Sequence, residues 1–264
     1  MFKQCNIILV LCVLGFAVPA SAVELKVSAE KVWWQYQEYA KDAAIAATQA
    51  SFLPSKSQGQ GAALKLGLSS ERDETWFFAL SGSWMDSTAE ATEYWRTKQI
   101  NDIRMNQLDI RADVQYEVMT HARLGLWLAG RKQEQERQNF VVNGVPTVVS
   151  GEPIVETITS TWLGLSFVGY GGNQQQLEAS IDVAVPLQVE VTNPLFVNAF
   201  SKKTGYRTAL KFRWNLPKSE VGFEGLNMVL DYQYQELGGE KQNDGSFWPY
   251  NRWQTLGFGL LYAW

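Results

Sequence analysis

Beyond residue 22 the sequence has no cysteine; the two that it carries, Cys5 and Cys12, stand in the first dozen residues. A disulfide framework and a thiolate metal site are therefore excluded for the rest of the chain. Histidine occurs once, at His121, so chemistry that needs two imidazoles is excluded as well. No apolar run after residue 22 reaches the roughly 20 residues of a membrane-crossing helix. A surplus of basic charge is also missing. Residues 23–264 hold 22 Lys and Arg against 27 Asp and Glu, a net charge of −5, which argues against a nucleic-acid partner. What the chain does hold is aromatic: 11 Trp, 13 Phe and 10 Tyr, with glycine scattered through apolar segments.

The N-terminus reads as an export signal. Lys3 supplies a positive start, Ile7 to Ala17 an apolar stretch, and Ala20-Ser21-Ala22 a small-residue cleavage site. Residues 1–22 are thus expected to be a removed signal peptide and 23–264 a single domain. The large residues before Cys12 (Leu9, Val10, Leu11) do not suit lipid attachment.

Ten segments of that domain alternate with period two, the signature of half-buried strands. The clearest runs Leu108, Ile110, Ala112, Val114, Tyr116, Val118, with Asp109, Arg111, Asp113, Gln115 and Glu117 between them. The first segment, Leu25 to Tyr39, changes phase near Ala29 to Lys31, which predicts a bulge there, and Pro186 predicts a second bulge or a rim position. Short polar connections (70–74, 119–121, 170–174, 217–220) alternate with long ones (40–61, 86–102, the hairpin at Asn143-Gly144, 192–204, 237–251). Aromatics gather at both strand ends: Trp76, Tyr116, Trp214, Tyr262 and Trp264 beside short turns, and Trp34, Tyr36, Trp84, Tyr206, Tyr232 and Tyr234 beside long loops.

The last strand carries Leu256, Phe258, Leu260, Tyr262 and Trp264 on one face, with Gly257, Gly259, Leu261 and Ala263 between. This ending resembles the assembly signal of bacterial outer-membrane β-barrels, a terminal aromatic preceded by alternating apolar residues. The resemblance implies an all-β, transmembrane, antiparallel up-and-down barrel of about ten strands (eight or twelve if a hairpin is misread), located in the cell outer membrane. It also implies membrane lipid and the barrel-assembly machinery as partners. Short turns and both termini would face the periplasm, and long loops the outside. A soluble sandwich with an aromatic core is the alternative.

Counting from a two-residue turn at Asn143-Gly144 sets Arg131 opposite Glu156 and Leu124 opposite Leu163. A turn at Met119-Thr120-His121 sets Glu117 opposite Arg123 and Asp109 opposite Arg131. Arg207, Lys211 and Arg213 are expected to point inward with Asp231, Glu178 and Asp182. Interleaved charge of both signs in a narrow lumen reads as neutralising pairs more than as an ion-selective path.

Ten strands resemble the omptin surface proteases, whose acid–histidine site faces outside. His121, however, falls in a periplasmic turn, so no external histidine completes a site with Asp86, Glu90, Glu93 or Asp102. Those acids lack EF-hand spacing, and no catalytic group, metal or cofactor is expected. Three long loops carry apolar clusters: Phe140 to Val149, Pro194 to Phe200, and Phe247-Trp248-Pro249-Tyr250. Phe196, Phe247, Trp248 and Tyr250 are the candidate contacts for an extracellular ligand, and an Ala-rich stretch at 43–53 is a candidate external helix. The expected function is non-catalytic surface binding or adhesion through the loops; a narrow porin-like channel is the alternative, and a surface hydrolase is the least supported.

Overall fold

The structure, a computed structural model, describes residues 23–39, 56–70, 75–95, 97–172, 176–194, 199–202, 204–222, 224–241 and 247–264. Residues 1–22, the expected signal peptide, the stretch 43–53 and Phe196 lie outside them, as do the side chains of Phe247 and Trp248.

Ten long strands form the wall: β1 (Val23–Tyr39), β2 (Lys56–Ser70), β3 (Trp76–Trp95), β4 (Thr97–Met119), β5 (Ala122–Val142), β7 (Ile154–Gly171), β8 (Leu177–Thr192), β10 (Gly205–Asn215), β11 (Leu226–Leu237) and β14 (Tyr250–Ala263). Each pairs antiparallel with its neighbours, and β14 closes on β1. Short segments β6 (Val145–Pro146), β9 (Phe200–Lys202), β12 (Glu240–Lys241) and β13 (Phe247–Trp248) belong to the long loops, and a single helical turn, α1 (Lys218–Val221), lies between β10 and β11. Following ladder partners from Glu24 through Ser69, Ala79, Asp113, Trp127, Gly164, Ala184, Arg207, Gln235 and Trp253 returns to β1 at Tyr36. The circuit climbs twelve residues, 24 to 36, so the strands tilt as closure demands, at roughly 35–45° to the axis.

Alternation sorts every strand into an inner and an outer row. On β5 the outer row reads Leu124, Leu126, Leu128, Gly130 and then Lys132, Glu134, Glu136. On β3 it reads Trp76, Phe78, Leu80, Gly82, Trp84 and then Asp86, Thr88, Glu90. An apolar band flanked by aromatic girdles thus gives way to polar wall, so the outer ends of β3, β4, β5 and β7 project beyond the membrane. Ring pairs mark both girdles: Trp76 with Tyr116 at 4.9 Å and Tyr262 with Trp264 at 5.2 Å on the short-turn side, Tyr206 with Tyr234 at 5.5 Å on the other.

Four expectations change. β1 carries no bulge: its ladders with β14 and β2 run unbroken from Lys26 to Gln37. Trp34 and Tyr36 therefore face the lumen, each 3% exposed, and Trp33 takes the girdle position. Residues 86–102 are not a loop, because β3 and β4 pair out to Trp95 and Thr97. Arg131 stands opposite Ser160 and not Glu156, and Leu124 opposite Phe167 and not Leu163. The Asn143-Gly144 turn does set Val142 against Val145, with both residues at positive φ (51° and 81°). Five residues of β5, Val141 to Arg137, then face nine on the other side, Pro146 to Ile154. The surplus leaves the ladder as a loop whose Glu152 carboxylate accepts from the Asn139 and Val149 amides. An even slip preserves the faces, so face matching alone does not detect it. The bulge at Pro186 is present: Trp162 pairs with Pro186 but Thr161 with Gln188, which leaves Leu187 extra.

Candidate functional site

Three levels of side chains occupy the lumen, and a cavity of about 290 Å³ remains between the lower two, bordered by Lys26, Glu30, Lys65, Asp109, Arg207 and Lys211. At the short-turn end, Lys26 reaches Glu24 at 2.7 Å and donates to Ser69 at 2.7 Å. Arg213 spans Glu24 (3.8 Å) and Glu178 (3.7 Å) and donates to Asn227. Arg123, opposite Glu117 in the ladder, lies over the Phe77 ring and donates to the Tyr170 hydroxyl at 3.3 Å.

The middle level crosses the barrel. Asp109 accepts from Arg131 Nε at 2.8 Å and from Arg207 Nη1 at 3.4 Å. Arg131 also donates to Gln235 (3.0 Å) and Gln233 (3.1 Å) on β11, four strands away from β5 around a wall of ten. Arg111 joins Asp113 and Asp182 and stacks at 4.3 Å on Trp127; Lys211 meets Asp182 at 3.0 Å. Lys65 holds Glu30 and Asp231, both at 2.8 Å. Trp127 fits because its neighbour across the ladder is Gly164, where a Cβ would lie 2.3 Å from the indole. Eight cations and eight acids point inward over these two levels, counting Glu117, so the two levels together are neutral.

At the height of the outer girdle the content changes. Trp34 and Trp253 stack at 5.0 Å with Tyr36 against them, among Met85, Met105 and Ile103. Higher still, Arg137 donates to Glu93 at 2.9 Å, and Asn101 donates to the same carboxylate at 2.7 Å. Among the described residues Glu156, 1% exposed, meets Asn193 at 3.2 Å and the Arg137 guanidinium at 3.7 Å, both on Oε2, and its Oε1 has no hydrogen-bond partner there. Burial therefore outweighs the Arg137 charge and pushes the Glu156 carboxyl up from its ordinary 4.5 to about 7. Arg137 and Glu156 lie outside the membrane band, level with the polar outer row Glu134, Glu136, Thr157.

A pH dependence follows. Between about 4.5 and 7 the folded barrel keeps a proton on Glu156 that the unfolded chain has lost. The stability from this group is complete below the lower value and disappears as pH rises through about 7. Glu156→Gln stays neutral and should flatten that slope, worth a few kcal/mol at most. Urea unfolding of both proteins across this pH window checks it; parallel curves would refute it.

Nothing in the sequence marks Glu93, Arg137 and Glu156 as one cluster. At that height the outer rows of β3, β4 and β5 are polar, and their inner rows mix apolar Ala91, Ile103 and Met105 with polar Glu93, Asn101, Gln133 and Gln135, so no sustained hydrophobic alternation marks them as strands. Of the loop acids, Asp86 faces outward and takes Arg104 at 3.2 Å, and Glu90 stands opposite Asp102. His121 sits exposed at φ 82° in the turn after β4, at the other end of the barrel. Among the described residues no group of three or more His, Cys, Asp or Glu is placed to hold a metal ion. Of the loop candidates, Tyr250 lies 5.9 Å from the Tyr39 ring, Val145 and Val148 are exposed at the hairpin tip, and Phe247–Trp248 pairs with Glu240–Lys241.

The outer membrane protease OmpT from Escherichia coli superposes on 92% of this chain and 96% of its own, with TM-score 0.50 and 10% identity. The fold is that of an outer-membrane β-barrel. Other similar structures are the translocator domain of the autotransporter NalP from Neisseria meningitidis (9% identity, 98% of this chain and 95% of that one, TM-score 0.43) and the Neisserial surface protein A, NspA (9%, 90% and 96%, 0.36). At such identities the likeness concerns the fold alone. No protein-family model and no curated protein matches the sequence.

Proposed function

We propose that the protein is a non-catalytic binding barrel of the outer membrane that engages an extracellular ligand through its projecting strands and loops. The observation that carries this reading is the Arg131 bridge: hydrogen bonds from β5 to β11 cross the lumen at mid-height, with charge of both signs above and below. A conduction path needs an open, solvated lumen, and a ten-strand barrel is narrow enough for side chains to fill it. Wall length supports the same reading. β4 has 23 residues and β5 has 21, where about 9–11 suffice to span a bilayer. That surplus raises a rigid platform carrying the exposed Val145–Val148 tip. An acid–histidine hydrolase finds no support, because the outer acids Glu93 and Glu156 share Arg137 and the histidine lies at the opposite end.

Two measurements on one set of variants test the reading. The refolded protein should show no steady conductance in planar bilayers. Trp248→Ser with Tyr250→Ser should reduce attachment to host cells or matrix severalfold while leaving the heat-modifiable gel shift of a folded barrel intact. Steady conductance that changes in Lys211→Ala or Arg123→Ala, with attachment unaffected by the loop changes, would put a narrow channel in its place.

A further inference from the structure

One residue breaks the lipid-facing pattern. Between the two aromatic girdles every outward position of the described wall is apolar, aromatic, glycine or threonine, except Lys31. It is exposed on β1, and its ladder neighbours are Phe258 on β14 and Ala62 on β2, neither of which offers a carboxylate. A lysine facing lipid costs about 2–4 kcal/mol at the bilayer midplane and little near an interface. Lys31 lies one position below Trp33 in the outer row, so an extended side chain reaches up to the head-group level.

Directly above it the wall is unlike its other sectors. The outer row of β1 continues Trp33, Gln35, Gln37; β2 adds Gln60 and Gln58, and β14 adds Gln254. A groove of about 490 Å³ runs there, footed on Trp33, Tyr232 and Leu256 and walled by Gln35, Gln58, Gln60 and Gln254. It continues outward into a second groove of about 510 Å³ bordered by Lys56, Arg252 and Glu90. Arg252 is partly engaged, with Glu236 at 3.8 Å and the Tyr39 and Tyr234 rings. By contrast, the outer wall of β3 to β5 at this height pairs charges with each other, as Arg104 with Asp86 and Lys132 with Glu134.

We propose that this face of β14, β1 and β2 binds the phosphorylated saccharide head of an outer-leaflet glycolipid. An aromatic foot in the lipid band suits the first part of an acyl chain. Amide side chains that both donate and accept suit the hydroxyls and amides of a sugar. Lys31 from below and Lys56 and Arg252 from above supply charge for phosphate. A lipid is the occupant because the groove is continuous with the membrane band and its lowest cation is accessible only from within the bilayer. The inference rests on the fold and the outer wall, and it is independent of what the loops bind.

The test uses the full processed barrel, refolded in phosphatidylcholine vesicles. These contain either a bisphosphorylated lipid A, its dephosphorylated form, or an equal charge of phosphatidylglycerol. The readout is the temperature at which the folded gel band is lost. The wild type should gain thermal stability with bisphosphorylated lipid A and much less with either control. Lys31→Ala and Arg252→Gln should each require roughly tenfold more glycolipid for half the gain, a single charge contact's worth, whereas Lys31→Arg should keep it. In pure phosphatidylcholine Lys31→Ala should fold at least as stably as wild type, since a charge leaves the lipid face. An equal gain from phosphatidylglycerol, or an unchanged response in Lys31→Ala, would overturn the proposal.

Discussion

Asp109→Ala should destabilise the folded barrel by roughly 3–5 kcal/mol, the cost typical of removing one partner from a buried ionic group. Asp109 is the shared counter-ion of Arg131 and Arg207, which are 3% and 8% exposed. Without it two guanidinium groups confront each other across the lumen with the Gln233 and Gln235 oxygens as their acceptors among the described residues. Arg131→Met is the instructive contrast. It removes a cation from a group that holds two cations per acid and leaves Asp109 paired with Arg207. Its loss should be about 1–3 kcal/mol, the scale of charge-assisted hydrogen bonds. Urea midpoints in a common lipid or detergent, followed by the gel shift, rank the variants. If Arg131→Met proved as damaging as Asp109→Ala, the reading of Asp109 as shared counter-ion would be wrong.

That ranking depends on a register the sequence reveals only in part. The pairings of Asp109 with Arg131 and of Glu117 with Arg123 follow from a tight turn between two strongly alternating segments. The pairing of Arg131 with Glu156 failed because the far side of the Asn143-Gly144 hairpin stores four extra residues in a loop. Period-two alternation is blind to a slip of two or four. Height along the barrel was harder to read. Residues 86–107 and 131–137 are polar outside, with Ala91, Ile103 and Met105 as a short apolar patch among polar inward residues, so the segments that carry Glu93 and Arg137 look like loop. The Lys31 position shows the opposite error. A cation in a lipid-facing row resembles a phase break, and the inferred bulge moved Trp34 and Tyr36 to the wrong face. A girdle aromatic and a lumen aromatic have the same composition and differ only in parity. Parity is lost once a single residue breaks its local rule.

Deleting Tyr262 to Trp264 is expected to have the largest effect of all, loss of the assembled barrel. These residues close the wall. Trp264 and Leu25 exchange both backbone hydrogen bonds, at 3.0 and 3.1 Å, and Tyr262 stands opposite Val27 on β1 and Leu226 on β11. The Ala263 amide donates to Gly225 at 3.0 Å, which ties β14 to the turn before β11. Removing them leaves unpaired amides and carbonyls on both neighbours within the girdle, where open strand edges are not tolerated in lipid. Trp264→Ala is milder, because it keeps the backbone bonds and loses only an exposed ring packed at 5.2 Å against Tyr262. Two readouts separate folding from targeting: the gel shift of protein refolded in vesicles, and the amount in isolated outer membranes after expression. The deletion should fail both. Trp264→Ala should refold in vesicles yet fall severalfold in the membrane fraction, because the ring contributes little to the closed wall and resembles the terminal aromatic of the assembly signal. Normal membrane levels of Trp264→Ala would remove that signal role and leave the ring as one girdle residue among several.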